Sequence, residues 1–401
     1  MVACFSSKSF IDECQLPFNS CSLVILSWFL EANFLEKIKC PILLQRLTSV
    51  LVYSKSRILF KVLSSGMSTK ANIIVSCPSE SFGPASLKDP KSIRFSFENT
   101  TLGPNDFLTQ QPTGCYSGAR TFKQRSVMNF QSHLNRLLLG MQNKSFGQDE
   151  EPSSVKERLQ SLRDSNLLFP LVKELCKAGI GHYFEGATSE DEAKLTILVS
   201  YDANAELPVV KLHLSPLSVP KGPICEVEVY GHPRSNPSVK DSQWVRDRRE
   251  IEKGMAPGIN EVLLVDDKGH VFEGMSSNFF AVVESPDGHQ IWTSPLEHVL
   301  RGTVMDMIIE GCKHLNIPLV FKLPSIHDAA RGSWSSAFIT STSRLMLPIS
   351  KLHIRDPQSL GLPDSDSPIS VSLASPLEQP HIMPLLNYVK SQVESHATSL
   401  L

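Results

Sequence analysis

Apolar residues recur along this chain at two spacings, and the spacing changes from segment to segment. In Phe130–Met141 (FQSHLNRLLLGM), Phe130, Leu134, Leu137, Leu138 and Met141 share one face of a 3.6-residue period, with His133 and Arg136 beside it, which predicts an amphipathic helix. The same period predicts helices over Leu167–Lys177, Val299–His314 and Leu385–Ser395, and Ser242–Lys253 reads as a charged helix. Short apolar runs predict buried strands at Leu195–Tyr201 and Val209–Leu214, whereas alternation in Ile224–Tyr230 predicts a half-buried one. Glu261–Val265 and Val271–Phe272 flank the turn Asp266–Gly269, a hairpin whose glycine supplies the positive φ such a turn needs. Further strands are predicted at Asn278–Val283 and at Ala337–Thr340, the latter running into the polar turn Ser341–Arg344.

Pro216, Pro220 and Pro223 with Gly222 interrupt the pattern and mark a connector between a part spanning residues 70–215 and a part spanning 216–401. Residues 357–380, rich in Ser and Pro, read as a flexible segment before the last helix. Residues 1–66 stand apart, with four of the nine cysteines and only four acidic residues. Their longest apolar run, Leu23–Leu30, is far short of the roughly 20 residues a membrane span needs. Arg46, Lys55, Arg57 and Lys61 interleave with Leu and Val in a stretch without acids, so the segment reads either as an organellar transit peptide or as a poorly ordered extension.

At 401 residues, 41% hydrophobic and 20% charged, the chain has enough apolar material for two or three domains with sizeable cores. Its net charge of -2 offers no global field for nucleic acid or an anionic membrane, so an anionic partner must be held locally. The nine cysteines include no CxxC pair, which argues against a zinc module or a disulfide scaffold and for a reducing, intracellular compartment, cytoplasmic or organellar.

Candidate chemistry concentrates in Asn236–Phe280, where Lys240, after a Pro-rich entry, precedes Glu273-Gly274-Met275-Ser276-Ser277-Asn278 by 273 − 240 = 33 residues. An amine attacks an aldehyde only when unprotonated, a state that desolvation or a nearby cation favours. A carboxylate facing a pyridine nitrogen keeps that nitrogen protonated. Taken alone, a solvated Lys240 and an exposed turn acid at Glu273 are the simpler readings.

The string resembles the class IV family of pyridoxal-phosphate enzymes, which includes branched-chain aminotransferases, D-amino-acid aminotransferases and aminodeoxychorismate lyases. In that family a Schiff-base lysine lies some thirty residues ahead of an EGxSSN motif. The resemblance covers roughly Gly114 to Ile349 in the same order. His133-Leu134-Asn135-Arg136 is similar to the family's helix whose arginine contacts the cofactor phosphate, and Leu300-Arg301-Gly302-Thr303-Val304 to its LxGIT turn. Thr340-Ser341-Thr342-Ser343 resembles its phosphate-side hydroxyl loop, and Gly114-Cys115-Tyr116-Ser117-Gly118-Ala119-Arg120 its GxYEGxR segment near the active-site mouth.

What the resemblance implies is an α/β (α+β) chain of the D-amino-acid aminotransferase-like fold. A small α/β domain (70–215) and a larger pseudo-barrel domain (216–401) would enclose pyridoxal 5'-phosphate between antiparallel-rich sheets. Lys240 would hold the cofactor and Glu273 face its ring nitrogen, with Arg136, Ser277, Asn278, Gly302, Thr303, Val304, Ser341 and Thr342 around it. A Gly-led turn into a helix supplies backbone N–H donors for a phosphate, and an arginine supplies a bidentate fork. Tyr116, Arg120 and Arg234 are candidates for the substrate, each weighed against an ordinary core or surface role. His133 reads as a helix-packing residue and Trp244 as a core anchor. Two departures stand out: Ser117 replaces the family's acid, and Val304 takes the place of its threonine, which moves to Thr303. The expected activity is transfer of an amino group between an amino acid and a keto acid by a homodimer, without metal, nucleic acid or membrane. A lyase on the same cofactor and a non-catalytic protein that keeps the fold are the alternatives.

Overall fold

The strands that alternation predicts, together with several it does not, pair into two sheets. The protein is seen in a computed structural model that describes residues 71–401 apart from 148–149, 188–189, 221, 287, 363–367 and 375–381. The candidate transit segment (1–66) and much of the Ser/Pro-rich stretch (357–380) therefore lie outside the described residues.

The first sheet contains β1 (Asn72–Ser76), β2 (Ser96–Thr100), β3 (Gly114–Phe122), β4 (Ser126–Met128), β5 (Ala193–Asp202) and β6 (Leu207–Pro216). The second contains β7 (Cys225–Val229), β8 (Glu261–Val265), β9 (Val271–Gly274), β10 (Asn278–Ser285), β11 (Gly288–Thr293), β12 (Leu319–Phe321), β13 (Trp334–Ser341), β14 (Leu345–Ile354) and β15 (Ile369–Ser372). A terminal strand, β16 (Ala397–Ser399), returns to the first sheet, whose order is β16-β4-β3-β5-β6-β1-β2. The second runs β12-β11-β10-β13-β14-β7-β8-β9, with β15 pairing the last residues of β14, beyond those that pair with β13. The expected hairpin forms between β8 and β9, with Gly269 at φ 71°. β15 lies inside the stretch read as a flexible segment, and pairs with β14 from Lys351–Ser372 to Ile354–Ile369.

Helices cover both sheets. α1 (Phe130–Asn143) and α2 (Ser165–Tyr183) bury Leu134, Leu137, Met141, Leu175 and Ile180 against Leu195, Val199, Leu212 and Leu214 of the first sheet. α3 (Thr303–His314) and α4 (Ile382–Ser395) bury Met305, Ile308, Leu385 and Val389 with Phe280 and Phe338, whose rings stack at 4.9 Å across β10 and β13. The single charged helix expected over Ser242–Lys253 is instead two short ones, Gln243–Asp247 and Arg249–Gly254. No helix among the described residues is long and apolar enough to cross a membrane.

One glycine sets how closely β3 and β5 approach. A Cβ on Gly114 would stand 2.4 Å from the Val199 carbonyl oxygen and 2.5 Å from Ser200 Cβ. Gly114→Ala is therefore expected to destabilise the fold by about 1–3 kcal/mol, the usual scale of overpacking, read from denaturant melts. An unchanged midpoint would mean that the strands can separate freely.

Candidate active site

Lys240 lies in the segment between β7 and β8, yet its backbone is fastened to β3 of the other sheet. The Tyr116 N–H donates to the Lys240 carbonyl at 2.9 Å, and the Ser242 N–H to the Gly114 carbonyl at 2.8 Å. The Gly114 N–H donates to Ser242 Oγ at 3.0 Å, and Lys144 pairs with Asp241 at 2.5 Å. These bonds at Lys240 and the two residues after it fix where its side chain starts. Its Nζ ends 4.8 Å from the centre of the Tyr116 ring.

Glu273 is the penultimate residue of β9, and Met275, Ser276 and Ser277 turn the chain into β10. Only glycine fits at position 274, because a Cβ there would meet Ser277 Oγ at 2.2 Å and Glu261 Cγ at 2.9 Å. The turn closes through the Gly274 N–H donating to the Ser277 carbonyl at 2.8 Å. Buried Glu261 organises it from beneath: Oε2 accepts from the Ser276 hydroxyl at 2.7 Å, the Ser277 hydroxyl at 2.9 Å and Arg344 Nη2 at 2.6 Å. Burial alone would raise the Glu261 pKa, but Arg344 and the two hydroxyls outweigh it and hold the carboxyl below the usual range. Glu273 itself is almost fully buried; Oε2 accepts the Leu300 N–H at 3.2 Å, and Oε1 lies 2.9 Å from Arg234 Nε. That last contact is a close ion pair whose angle is too poor for a hydrogen bond, so Oε1 and Arg234 Nε both lack a hydrogen-bond partner among the described residues.

A third cluster forms where α3 begins. Asn278 Nδ2 donates to the Leu300 carbonyl at 2.7 Å, and a Cβ on Gly302 would strike Asn278 Oδ1 at 2.2 Å. Thr303 and Thr342 bring their hydroxyls within 3.3 Å of each other, and Arg136 Nη2 donates to the Arg301 carbonyl at 2.7 Å. No side chain caps α3, so the N–H groups of its first turn stay free of intrahelical partners.

These three clusters line one cavity of about 370 Å³. Lys240 keeps part of its surface open to that cavity and is otherwise enclosed by protein. Burial, then the guanidinium groups of Arg136, Arg234 and Arg248, hold its amine well below the ordinary lysine range, against the opposing charge of Glu273. Burial raises the Glu273 carboxyl, and Arg234, the Leu300 N–H and Lys240 partly counter it.

Arg136, Glu273, Ser277, Asn278, Gly302, Thr303, Val304, Ser341, Thr342, Tyr116 and Arg234 all line the cavity with Lys240; Arg120 does not. Arg234 pairs with Glu273 and stacks 5.1 Å from Trp244 rather than standing free for a substrate carboxylate. Trp244 is half-buried, and its indole N–H donates to the Met275 carbonyl at 2.9 Å, so it braces the turn instead of anchoring a core. His133 is fully buried with Nδ1 2.8 Å from the Ser117 hydroxyl, and burial with the nearby Arg136 and Lys240 charges pushes it down to about 3, leaving it neutral. Ser117 thus serves α1 from the face of β3 opposite Tyr116 and Gly118. Sequence reasoning missed Lys194, Arg248 and Arg344 as lining residues and Glu261 beneath them. Each depends on pairings between remote segments, and no local motif announces them.

A phosphorylated pyridine aldehyde fits this set of donors. Glu273 Oε1 is a buried acceptor still in need of a donor, and Lys240 is an amine held toward its neutral form. Arg136, two threonine hydroxyls and a free helix N-terminus converge around a glycine whose Cβ would fill the space.

A family model described as amino-transferase class IV matches residues 114–352, more than half of the chain. A protein of Methanocaldococcus jannaschii named for branched-chain-amino-acid aminotransferase activity is 29% identical over 115 residues, which is 28% of this chain and 38% of that protein, so the match spans well under half of the relative's length. Among solved structures, a hypothetical aminotransferase from Mycobacterium tuberculosis in its PLP-bound form aligns with a TM-score of 0.54 at 13% identity, covering 80% of this chain and 99% of that one. A branched-chain aminotransferase from Thermoproteus uzoniensis with norvaline aligns with a TM-score of 0.52 at 16% identity, covering 77% and 97%. At such identities the likeness is one of fold.

Proposed function

We propose that this chain, which belongs to the class IV aminotransferases, uses pyridoxal 5'-phosphate to transfer an amino group from an amino acid to a keto acid. The observation that carries the reading is the facing of Lys240 and Glu273 across one cavity whose far wall is built for an anion. Lys240, Glu273, Arg136, Thr303, Thr342 and the first N–H groups of α3 would hold the cofactor. When bound, it supplies an electron sink for the pair left when the substrate Cα loses its proton. The protein's own part is positional and electrostatic. The Glu273 carboxylate would hold the proton on the ring nitrogen, while Arg136 and the helix N-terminus balance the phosphate charge. Lys240, kept neutral by burial and three guanidinium groups, takes the Cα proton at Nζ and returns it. Ser277 and Asn278 act as braces, their polar groups spent on Glu261 and on the Leu300 carbonyl.

The same proposal reads residues 70–215 and 216–401 as two domains, with β16 returning from the second to complete the sheet of the first, and two copies of the chain as the working unit. Large apolar side chains left exposed at Phe97 and Leu139 support pairing of copies. The test of function is to load the full chain with pyridoxal phosphate, supply amino acids of each stereochemistry, and measure product with and without a keto acid. The expected result is repeated turnover only when a keto acid is present, with the matching new amino acid formed. Turnover without a keto acid would establish a lyase instead, and absence of cofactor uptake would overturn the proposal.

A further inference from the structure

One stripe of α1 meets both halves of the proposed cofactor site. Arg136, Gly140 and, just past the end of the helix, Lys144 follow one another at four-residue intervals, so they lie along a single face. Arg136 lines the cavity beside the start of α3, where it donates to the Arg301 carbonyl. Gly140 meets the chain ahead of Lys240: a Cβ there would lie 2.8 Å from Cys115 Sγ and 3.6 Å from Val239 Cγ1. Lys144 Nζ meets the chain after it, pairing with Asp241 Oδ2 at 2.5 Å. The helix thus reaches the residue on each side of Lys240, and it comes this close because position 140 carries no side chain.

The pleat of the chain turns this into a constraint on the amine. Cys115 and Asp241 are bridge partners in an antiparallel pairing, so their side chains share a face. That face is the one α1 covers, where Cys115 packs with Leu137 and Met141. Lys240, one residue earlier, points the opposite way, and its Nζ stands by Tyr116 on the cavity side. Both members of the ion pair behind it are themselves held. Arg163 donates to the Met141 carbonyl at 2.7 Å and the Lys144 carbonyl at 3.3 Å, and both oxygens of Glu151 grip that arginine at 2.6 and 2.7 Å. Asp241 Oδ1 accepts the Gln243 N–H at 2.9 Å, which leaves Oδ2 for Lys144. With side-chain exposures of 14% and 26%, the pair is screened less than one on the open surface.

We propose that Lys144 is a positioning residue: through Asp241 it sets where the Lys240 amine stands, so that α1 gauges the span from the phosphate-holding Arg136 to the attacking nitrogen. The backbone bonds to β3 set the register of this segment, and the ion pair behind it sets the tilt at which Lys240 leaves it. The assignment rests on the pyridoxal-phosphate reading of the site. The test uses the full chain freed of cofactor and two ligands with the same ring and phosphate. Pyridoxal 5'-phosphate carries an aldehyde whose carbon bonds Lys240 Nζ with loss of water; 4'-deoxypyridoxine 5'-phosphate carries a methyl there and cannot. The parent should bind the aldehyde far more tightly. Lys144→Met, which keeps an unbranched stem, and Asp241→Asn, which keeps the acceptor for the Gln243 N–H, should each cut that advantage about fivefold, the scale of one partly shielded ion pair. The methyl analogue should stay within about twofold in both. The double variant should lose no more than either single one, since both remove the same contact, and Lys144→Arg should keep the advantage. Equal weakening of both ligands would make the pair a general prop of the fold, and an unchanged advantage would make it idle; either result overturns the assignment alone. A parent that binds neither ligand, or does not prefer the aldehyde, overturns the cofactor reading and this assignment with it.

Discussion

Replacing Lys240 by alanine is expected to abolish amino transfer and covalent attachment of the cofactor, while leaving the apoprotein at least as stable as the parent. The first half follows from position. Among the described residues Lys240 is the only lysine beside Glu273 and Tyr116, and Lys194, the other lysine on the cavity wall, stands at its outer end. Borohydride reduction of loaded parent protein followed by peptide mapping should place the pyridoxyl group on residue 240 and on no other lysine. The second half follows from linkage. Burial and three arginines lower the folded-state pKa of Lys240, whereas the unfolded chain keeps a value near 10.4. Between those values the unfolded chain binds the extra proton, so Lys240 costs stability at low pH and the cost fades as pH rises. Lys240→Ala removes that cost. Its stability advantage should be largest in acid and vanish by about pH 10.5, where both states of the parent are deprotonated. Recovery of the label on another lysine would overturn the catalytic assignment. A variant less stable than the parent at every pH would show that the lysine stem matters more for packing than its charge costs.

How much of this was legible beforehand depends on whether a segment's period survives its surroundings. α1 and the β8–β9 hairpin were readable because each buries one face and wets the other. β3 was not, since Gly114 to Ser117 are buried on both faces and two glycines dilute the pattern. β2 is exposed along nearly its whole length and offers no apolar period. α2 runs past the expected Lys177 to Tyr183, through Gly179, which is present because a Cβ there would meet Leu212 Cδ2 at 2.7 Å where helix and sheet approach. That glycine is a packing requirement. At the site, Lys240 and Glu273 could be named from spacing and resemblance, but Arg234 pairing with Glu273 and Arg344 with Glu261 could not. Those pairs are made by chain segments 39 and 83 positions apart (273 − 234 and 344 − 261), and only the sheet order brings them together.

Glu273→Gln should separate cofactor binding from turnover more sharply than any other single change in the cavity. The amide preserves shape and keeps an oxygen that can accept the Leu300 N–H, now 3.2 Å from Oε2. It removes the charge that faces Arg234 at 2.9 Å and would face a protonated ring nitrogen. The anion-holding groups sit elsewhere, on α1, at the start of α3 and after β13, so the phosphate contacts are untouched and affinity should change little. Loss of the carboxylate leaves the ring nitrogen without a partner that favours its protonated state. The reaction then lacks its electron sink where charge develops, a loss felt in the transition state and not in binding. The expected cost is about 3 to 6 kcal/mol, roughly two to four orders of magnitude in single-turnover rate. Arg234, deprived of its counter-ion, is also expected to lower the stability of the variant, so the melting midpoint must be measured alongside. Glu273→Ala, which deletes the acceptor as well, should match the slow rate and lose some cofactor affinity in addition. A Glu273→Gln protein that is folded, loaded and within about threefold of the parent rate would remove Glu273 from the chemistry and leave it as the buried partner of Arg234.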